Sequence, residues 1–266
     1  MIDGSWYYFD ASGWRVTGWL LVGNAWYYLN EDGKMATGWK TLDGITYYLN
    51  NDGAMCTGYK EISGEWYFFN NKHAPLGMLS YTGVTSIMGS SELGKDKSTV
   101  VSKLVKMYNK LGVTYPSEVF GQGGAADIQT FCEILYEEAI AENVKPEVVF
   151  GQAMKETGYL QYGGDVKPEQ YNIAGIGAIG NGVSGESFES VQIGLRAQVQ
   201  HLKAYASVEP LNQDCVDPRF KYPTRGSAPY VEWLGISENP NGKGWASDVG
   251  YGFSLMKDYI NPIFAL

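Results

Sequence analysis

Hydrophobic and polar positions alternate in two different rhythms along the chain. Over residues 1–80 the apolar positions come as short aromatic runs, one every 20 positions: Trp6-Tyr7-Tyr8-Phe9, Trp26-Tyr27-Tyr28-Leu29, Thr46-Tyr47-Tyr48-Leu49 and Trp66-Tyr67-Phe68-Phe69. Gly18-Trp19, Gly38-Trp39 and Gly58-Tyr59 recur with the same period, and Gly77-Met78-Leu79 follows with a one-residue slip in its glycine. Between the runs sit Asp10-Ala11-Ser12-Gly13, Glu31-Asp32-Gly33 and Asn51-Asp52-Gly53. Aromatic runs favour strands, and Ser-Gly or Asp-Gly at a fixed offset favours a hairpin turn. Each period therefore predicts one β-hairpin and a loop. A lone hairpin is marginal in water, so the units must stack. The last unit runs into His73-Ala74-Pro75 with no glycine at the expected turn position.

After residue 80 the rhythm becomes helical. Residues 80–97 are rich in Ser, Gly and Thr and read as a junction. From Ser98 the apolar positions Val101, Leu104, Val105, Tyr108 and Leu111 fall on one helix face, and Gly112 stops it. Asp127 is placed to cap a second helix with Ile128, Phe131, Leu135 and Ala139 inward. Pro146 suits the first turn of a third, with Val149, Ala153 and Met154 apolar and Gly158 closing it. A fourth is predicted near 189–207, on Val191, Leu195, Val199 and Leu202, and a last near 248–260, before Pro262. The Gly-rich stretch 162–185 reads as loops and short strands. The expected class is α+β and multidomain: a β-hairpin repeat solenoid over 1–80 and a mainly α-helical domain over 81–266.

Composition narrows the partners. The net charge is −9 and the pI near 4.8, which speaks against a nucleic-acid backbone. No run of 18 apolar residues is present, so no membrane span is expected. Two His and three widely spaced Cys (Cys56, Cys132, Cys215) predict no metal site, no cofactor and at most one disulfide. Six of the eight Trp lie in residues 1–80, which turns the repeat into a candidate binding surface. Neighbouring rings can form open boxes that hold quaternary ammonium groups by cation–π attraction, or can stack on sugars.

Three constellations in the helical part carry candidate chemistry. Gly175-Ile176-Gly177-Ala178-Ile179-Gly180 matches a dinucleotide fingerprint, but Pro168-Glu169-Gln170 precedes it and Asn181-Gly182 follows, where a strand and a helix are needed. Cys132 and His201 form a nominal thiol–imidazole pair, yet Cys132 sits within an apolar helical run and is expected to be a buried structural thiol. Glu156 ends the third helix. The negative end of the helix dipole and apolar neighbours both raise a carboxyl pKa there, as a general acid requires.

Two resemblances sharpen these readings. The 18–39 segment, Gly-Trp followed by Trp26-Tyr27-Tyr28-Leu29, Gly33, Met35 and Thr37-Gly38-Trp39, resembles the choline-binding, or cell-wall-binding, repeat of Gram-positive surface proteins. That resemblance implies a choline or wall-ligand site at Trp19, Trp26 and Tyr48, with Met35 nearby. The next site would use Trp39, position 46 and Phe68, but position 46 is Thr. In the helical part, Ala153-Met154-Lys155-Glu156-Thr157-Gly158, Gly163-Gly164, Asn172-Ile173-Ala174-Gly175, the segment 195–206 and Gly244-Trp245-Ala246-Ser247-Asp248 with Tyr251 resemble glycoside hydrolase family 73 glucosaminidases. The branch with cell-separating activity and choline-binding repeats is the best match.

The second resemblance implies a lysozyme-like helical fold with a groove, and cleavage of peptidoglycan glycan strands after N-acetylglucosamine. It assigns Glu156 as the acid, with Asn172, Tyr171, Trp245, Tyr251 and His201 as substrate-binding residues. Asp165, Glu186, Glu189 and Asp248 are the candidates for a second acid; the alternative is attack by the substrate's own 2-acetamido group. Competing expectations are a muramidase or lytic transglycosylase on the same fold, or a non-catalytic wall-carbohydrate binder. The implied partners are peptidoglycan and choline-bearing teichoic acid or another wall carbohydrate, for a secreted, wall-associated protein. The chain opens in mid-unit with no leader segment, which is expected of a piece of a longer array.

Overall fold

The computed structural model describes residues 1–72, 74–180 and 182–266. The chain divides into two compact units, Met1–Val84 and Thr85–Leu266.

The first unit is built from antiparallel hairpins: β1 (Gly18–Val22) with β2 (Ala25–Leu29), β3 (Gly38–Leu42) with β4 (Ile45–Leu49), and β5 (Gly58–Ile62) with β6 (Glu65–Phe69), the last extended by β7 (Leu79–Thr82). The register pairs Trp19 with Tyr28, Trp39 with Tyr48 and Tyr59 with Phe68. The tight hairpin turns are not at the Asp-Gly sites expected from sequence. They fall between Val22 and Ala25, at Asp43-Gly44 and at Ser63-Gly64, where Asp43 (φ 49°) and Ser63 (φ 55°) accept the left-handed backbone of a mirror-type two-residue turn.

The predicted turn glycines Gly33 and Gly53 instead close the return between hairpins, donating their N–H groups to Asn30 and Asn50. Gly77 donates to Asn70 in the same way, so the last unit has its turn glycine after all, displaced by an insertion. His73, also named in that expectation, lies outside the described residues.

These glycines explain how the units stack. A side-chain carbon on Gly33 would collide with Arg15, one on Gly53 with Met35, and one on Gly77 with Met55. Each unit thus presses one long side chain onto the next unit's glycine. Backbone bonds follow the same step: Met35 N–H donates to Trp6 O at 2.8 Å and Met55 N–H to Trp26 O at 2.7 Å. The buried spine runs through Leu29, Ala36, Tyr47, Leu49, Phe68 and Phe69.

The second unit is helical. Its elements are α1 (Lys97–Lys110), α2 (Ser117–Gln122), α3 (Ile128–Ala141), α4 (Pro146–Glu156), a small hairpin of β8 (Ala178–Gly180) and β9 (Val183–Ser184), α5 (Val191–Ala206), and a C-terminal rod. Three caps follow the rule that a short polar side chain satisfies orphan N–H groups. Asp96 accepts from Thr99, Asp127 from Thr130 and Ser190 from Ile193. Asp96, not Ser98, therefore starts α1. The short α2 has no sequence expectation, being too brief to show a period.

The rod differs from its prediction. It runs through α6 (Tyr251–Ser254), a π-turn over Leu255–Ile260 and α7 (Asn261–Phe264), passing Pro262 instead of ending before it. A proline ring clashes with the carbonyl four residues back, and the wider π-turn relieves that clash. Fully buried Val148, Val149, Phe150, Ala153, Leu195, Val199 and Leu202 form the α4–α5 core behind the cleft.

Candidate active site

Glu156 is the last residue of α4, and the chain after it is unusually bent. Thr157 caps the helix, its hydroxyl donating to Ala153 O at 2.6 Å and accepting from Leu160 N–H at 2.8 Å. Gly158, Tyr159, Leu160 and Tyr162 all have positive φ (57°, 61°, 63° and 53°). Left-handed backbone is costly for residues with a Cβ and clusters at functional sites. Here it turns the chain sharply away so that Glu156 fronts an open cleft of about 500 Å3.

The cleft is lined by Glu156, Asp165, Asn172, His201, Trp245 and Tyr251, with Tyr205 and Asp248 beside them. Burial pushes the Glu156 carboxyl above the ordinary glutamate range; the Tyr251 hydroxyl, the Lys155 charge and the Trp245 side chain pull it back, and Asp248 pushes it further up. Tyr251 donates its O–H to Glu156 Oε1. Burial and the neighbouring Glu156 charge push the Tyr251 hydroxyl well above its usual value, so it stays protonated and able to donate. Lys155 Nζ lies 5.0 Å from the Tyr251 ring centroid and donates to Ser254 Oγ at 2.8 Å.

Asn172 is fully buried and works as a clasp. Its Nδ2 donates to Ile176 O (2.9 Å) and Glu186 O (3.0 Å), and its Oδ1 accepts from Ile176 N–H (2.9 Å). Both edges of the Gly-rich loop are thus tied to one side chain. Trp245 is held by its backbone, its N–H donating to Leu234 O at 2.8 Å. That approach needs glycine next door: a Cβ on Gly244 would sit 2.6 Å from the Leu234 oxygen. The Trp245 ring stands edge-on to His201 (5.1 Å, 88°) and 6.0 Å from Tyr205. His201 in turn meets the buried Asp217, which the sequence did not single out.

Tyr171 is not brought to the cleft. Its hydroxyl donates to Val119 O at 3.3 Å and its ring packs on Phe120, so it anchors α2. Of the four candidate second acids, Asp165 and Asp248 line the cleft. Glu186 is engaged by Arg219 at 3.0 Å, and Glu189 is exposed and outside the lining. Cys132 is fully buried, and burial raises its thiol well above the usual range, as expected of a structural cysteine. Asp217 was missed because it is 16 residues from its partner in an irregular loop. That loop is braced by Glu142, whose buried carboxylate accepts from Lys203 Nζ at 2.7 Å and from the N–H groups of Asn212 and Gln213.

In the repeat unit the four expected wall-ligand residues separate. Trp19 and Trp26 meet edge-on at 6.4 Å. The ring from the next hairpin against Trp19 is Tyr47, at 4.9 Å, not Tyr48. Tyr48 belongs to the following set, 5.1 Å from Trp39. The side-chain period of two along a strand explains the exchange, because Tyr47 and Tyr48 point to opposite faces. Met35 lines a separate groove of about 370 Å3 with Trp6, Tyr8, Leu20 and Tyr27.

Comparison with known families places the helical unit among glycoside hydrolases and the hairpin unit among choline-binding repeats. Residues 132–261 match the glucosaminidase family model, described as mannosyl-glycoprotein endo-beta-N-acetylglucosaminidase, and residues 1–37 and 36–73 each match the choline-binding repeat. The chain belongs to the glucosaminidase family.

A curated relative, an uncharacterized protein of Borreliella burgdorferi, is 37% identical over 145 residues, covering 54% of this chain and 68% of that one. Among solved structures, choline binding protein F from Streptococcus pneumoniae is 42% identical over 29% of this chain and 24% of its own, with a TM-score of 0.26. The multimodular pneumococcal cell wall endolysin from phage Cp-1, complexed with choline, is 39% identical over 32% of this chain and 25% of its own, with a TM-score of 0.25. This chain thus spans about a quarter of the length of those two proteins.

Proposed function

We propose that the protein hydrolyses the glycan strand of peptidoglycan after N-acetylglucosamine, with Glu156 as general acid and then general base. The observation that carries this reading is the Glu156–Tyr251 pair at the floor of the cleft. Burial keeps the carboxyl protonated above the ordinary range, and a protonated acid facing a groove is what a glycosidic oxygen needs in order to leave. In the first step Glu156 gives its proton to that oxygen as the glycosidic bond breaks. The carbonyl oxygen of the substrate's 2-acetamido group attacks the anomeric carbon and forms a cyclic oxazolinium ion. In the second step the Glu156 carboxylate takes a proton from water, whose oxygen opens the ring. Trp245 offers an indole edge and face for a sugar ring, and Asn172 keeps the loop beside it in shape.

The repeats serve as the anchor. Trp19 with Trp26 offers aromatic walls for a quaternary ammonium group, and choline-bearing teichoic acid is the partner that such walls suit. The protein then acts at the wall, outside the cell.

The test is digestion of purified peptidoglycan, followed by mass analysis of the reduced fragments. N-acetylglucosamine at the new reducing ends is the expected result; N-acetylmuramic acid or its anhydro form there would overturn the cleavage site. Glu156→Gln should abolish hydrolysis. Single changes of Asp165, Glu186, Glu189 and Asp248 to Asn or Gln should leave substantial activity. Loss at one of them, with the circular dichroism spectrum intact, would replace the acetamido step with a second acid.

A further inference from the structure

Behind the cleft, two buried glutamines lead to the Tyr251 hydroxyl. Gln152 lies four residues before Glu156 on α4 and has no exposed surface; Gln198 on α5 has none either. Gln198 Nε2 donates to Val149 O at 3.1 Å and to Gln152 Oε1 at 3.0 Å, which uses both of its hydrogens. Gln152 Nε2 then donates to Tyr251 Oη at 3.4 Å. Tyr251 Oη donates to Glu156 Oε1.

This chain has one workable polarity. A backbone carbonyl only accepts, so Gln198 must turn its nitrogen toward Val149. The same nitrogen faces Gln152, which must answer with its oxygen. Gln152 is left with its NH2 toward Tyr251, and an amide NH2 cannot accept. The tyrosine proton therefore has no outlet on that side, and Glu156 Oε1 is its acceptor. Lys155 and Trp245, which also act on Glu156, carry donors only, and Asp248 acts on Glu156 through its charge. Tyr259 bears on the pair from the C-terminal rod through its charge, and Asp165 and His201 line the same cleft.

We propose that Gln152, backed by Gln198, is a positioning residue that fixes the Tyr251 proton on Glu156 Oε1 and so confines the transferable proton to Oε2. Without it the tyrosine hydroxyl is free to rotate and accept, and part of the protonated enzyme carries its proton on the wrong oxygen. A hydroxyl that accepts a hydrogen bond is also a better donor, so the relay strengthens the bond to the carboxylate. The inference rests on the reading of Glu156 as the acid.

The experiment compares the intact wild-type chain with Gln152→Met, Tyr251→Phe, the double variant and Glu156→Gln. It records the pH profile of kcat and KM on peptidoglycan strands, with thermal melting as the fold control. Gln152→Met should lower kcat by about two- to tenfold, leave KM nearly unchanged and move the alkaline limb upward by about half a pH unit. In the Tyr251→Phe background the same change should add nothing.

A folded Gln152→Met protein with the wild-type profile, or an equal added effect in the Tyr251→Phe background, overturns the relay. If Gln152→Met does not fold, Gln198→Met frees the same amide from one step further back and should move the limb in the same direction; an unmoved limb there overturns the relay equally. Activity retained in Glu156→Gln would remove the acid assignment itself. An inactive Glu156→Gln beside an unmoved Gln152→Met profile removes the relay alone.

Discussion

His201 Nδ1 lies 2.6 Å from Asp217 Oδ2, and the Asp217 side chain has no exposed surface. The pair fixes a ring that stands edge-on to both Trp245 and Tyr205. Asp217 is itself placed by Gln200, whose Oε1 accepts the N–H groups of Val216 and Asp217. The indole of the cleft is thus set by a chain of contacts that begins in a loop.

Asp217→Ala is expected to cost about 1.5–3 kcal/mol of stability, the usual value for a hydrogen bond to a charged group. Denaturant unfolding measures that loss. The kcat/KM on peptidoglycan should fall about tenfold as Trp245 loses its backing. Unchanged kcat/KM in a folded variant would mean that the indole is held by its backbone alone.

The charges around Glu156 predict signed shifts of the pH profile. Asp248 raises the Glu156 carboxyl and Lys155 lowers it. Asp248→Asn should therefore bring the alkaline limb of kcat/KM down, and Lys155→Met should move it up. Movement of both limbs in one direction would show that packing, not charge, governs the shift.

Glu156 also links pH to stability. Its folded pKa is raised mainly by burial, so its contribution is fully present below the unfolded value of about 4.3 and is lost as pH rises through the folded one. Glu156→Gln is then expected to melt at the wild-type temperature in acid and above it at neutral and alkaline pH. Calorimetry across that range tests this. Equal melting temperatures throughout would mean that Tyr251, Lys155 and Trp245 fully offset the burial.

The repeat glycines make a separate claim. Gly53 (φ 84°) lies under Met35 and Gly77 (φ 74°) under Met55, so Gly77→Ala should harm the hairpin unit as much as Gly53→Ala does. Each is expected to cost about 1–3 kcal/mol through left-handed backbone and steric conflict. Tryptophan fluorescence during unfolding follows that unit, which holds six of the eight indoles. A harmless Gly77→Ala would place the turn of the last unit elsewhere.

Sequence carried the features that depend on local rules. The 20-residue period, the Asp127 cap, Pro146 at the start of α4 and the end of that helix at Glu156 all follow from side chains near one another in the chain. Where sequence misled, longer-range packing decided. Tyr47 replaced Tyr48 beside Trp19 because strand parity fixes which ring faces which way. Tyr171 left the cleft because its hydroxyl found Val119. The rod passed Pro262 because a π-turn absorbed the ring. Asp217, Gln152 and Gln198 gave no periodic or motif signal, since each acts through a partner that only the fold brings near.

The Met-over-Gly joint has an evolutionary consequence. Met35 on Gly53 and Met55 on Gly77 are one interface used twice. Duplication or deletion of a unit preserves that interface, so copy number can drift without redesign of the packing. Where units of this kind each hold a ligand, linking several on one chain lets the avidity exceed any single affinity. Residence time on a surface that presents such a ligand is then adjustable by gene duplication, with the helical unit left unchanged.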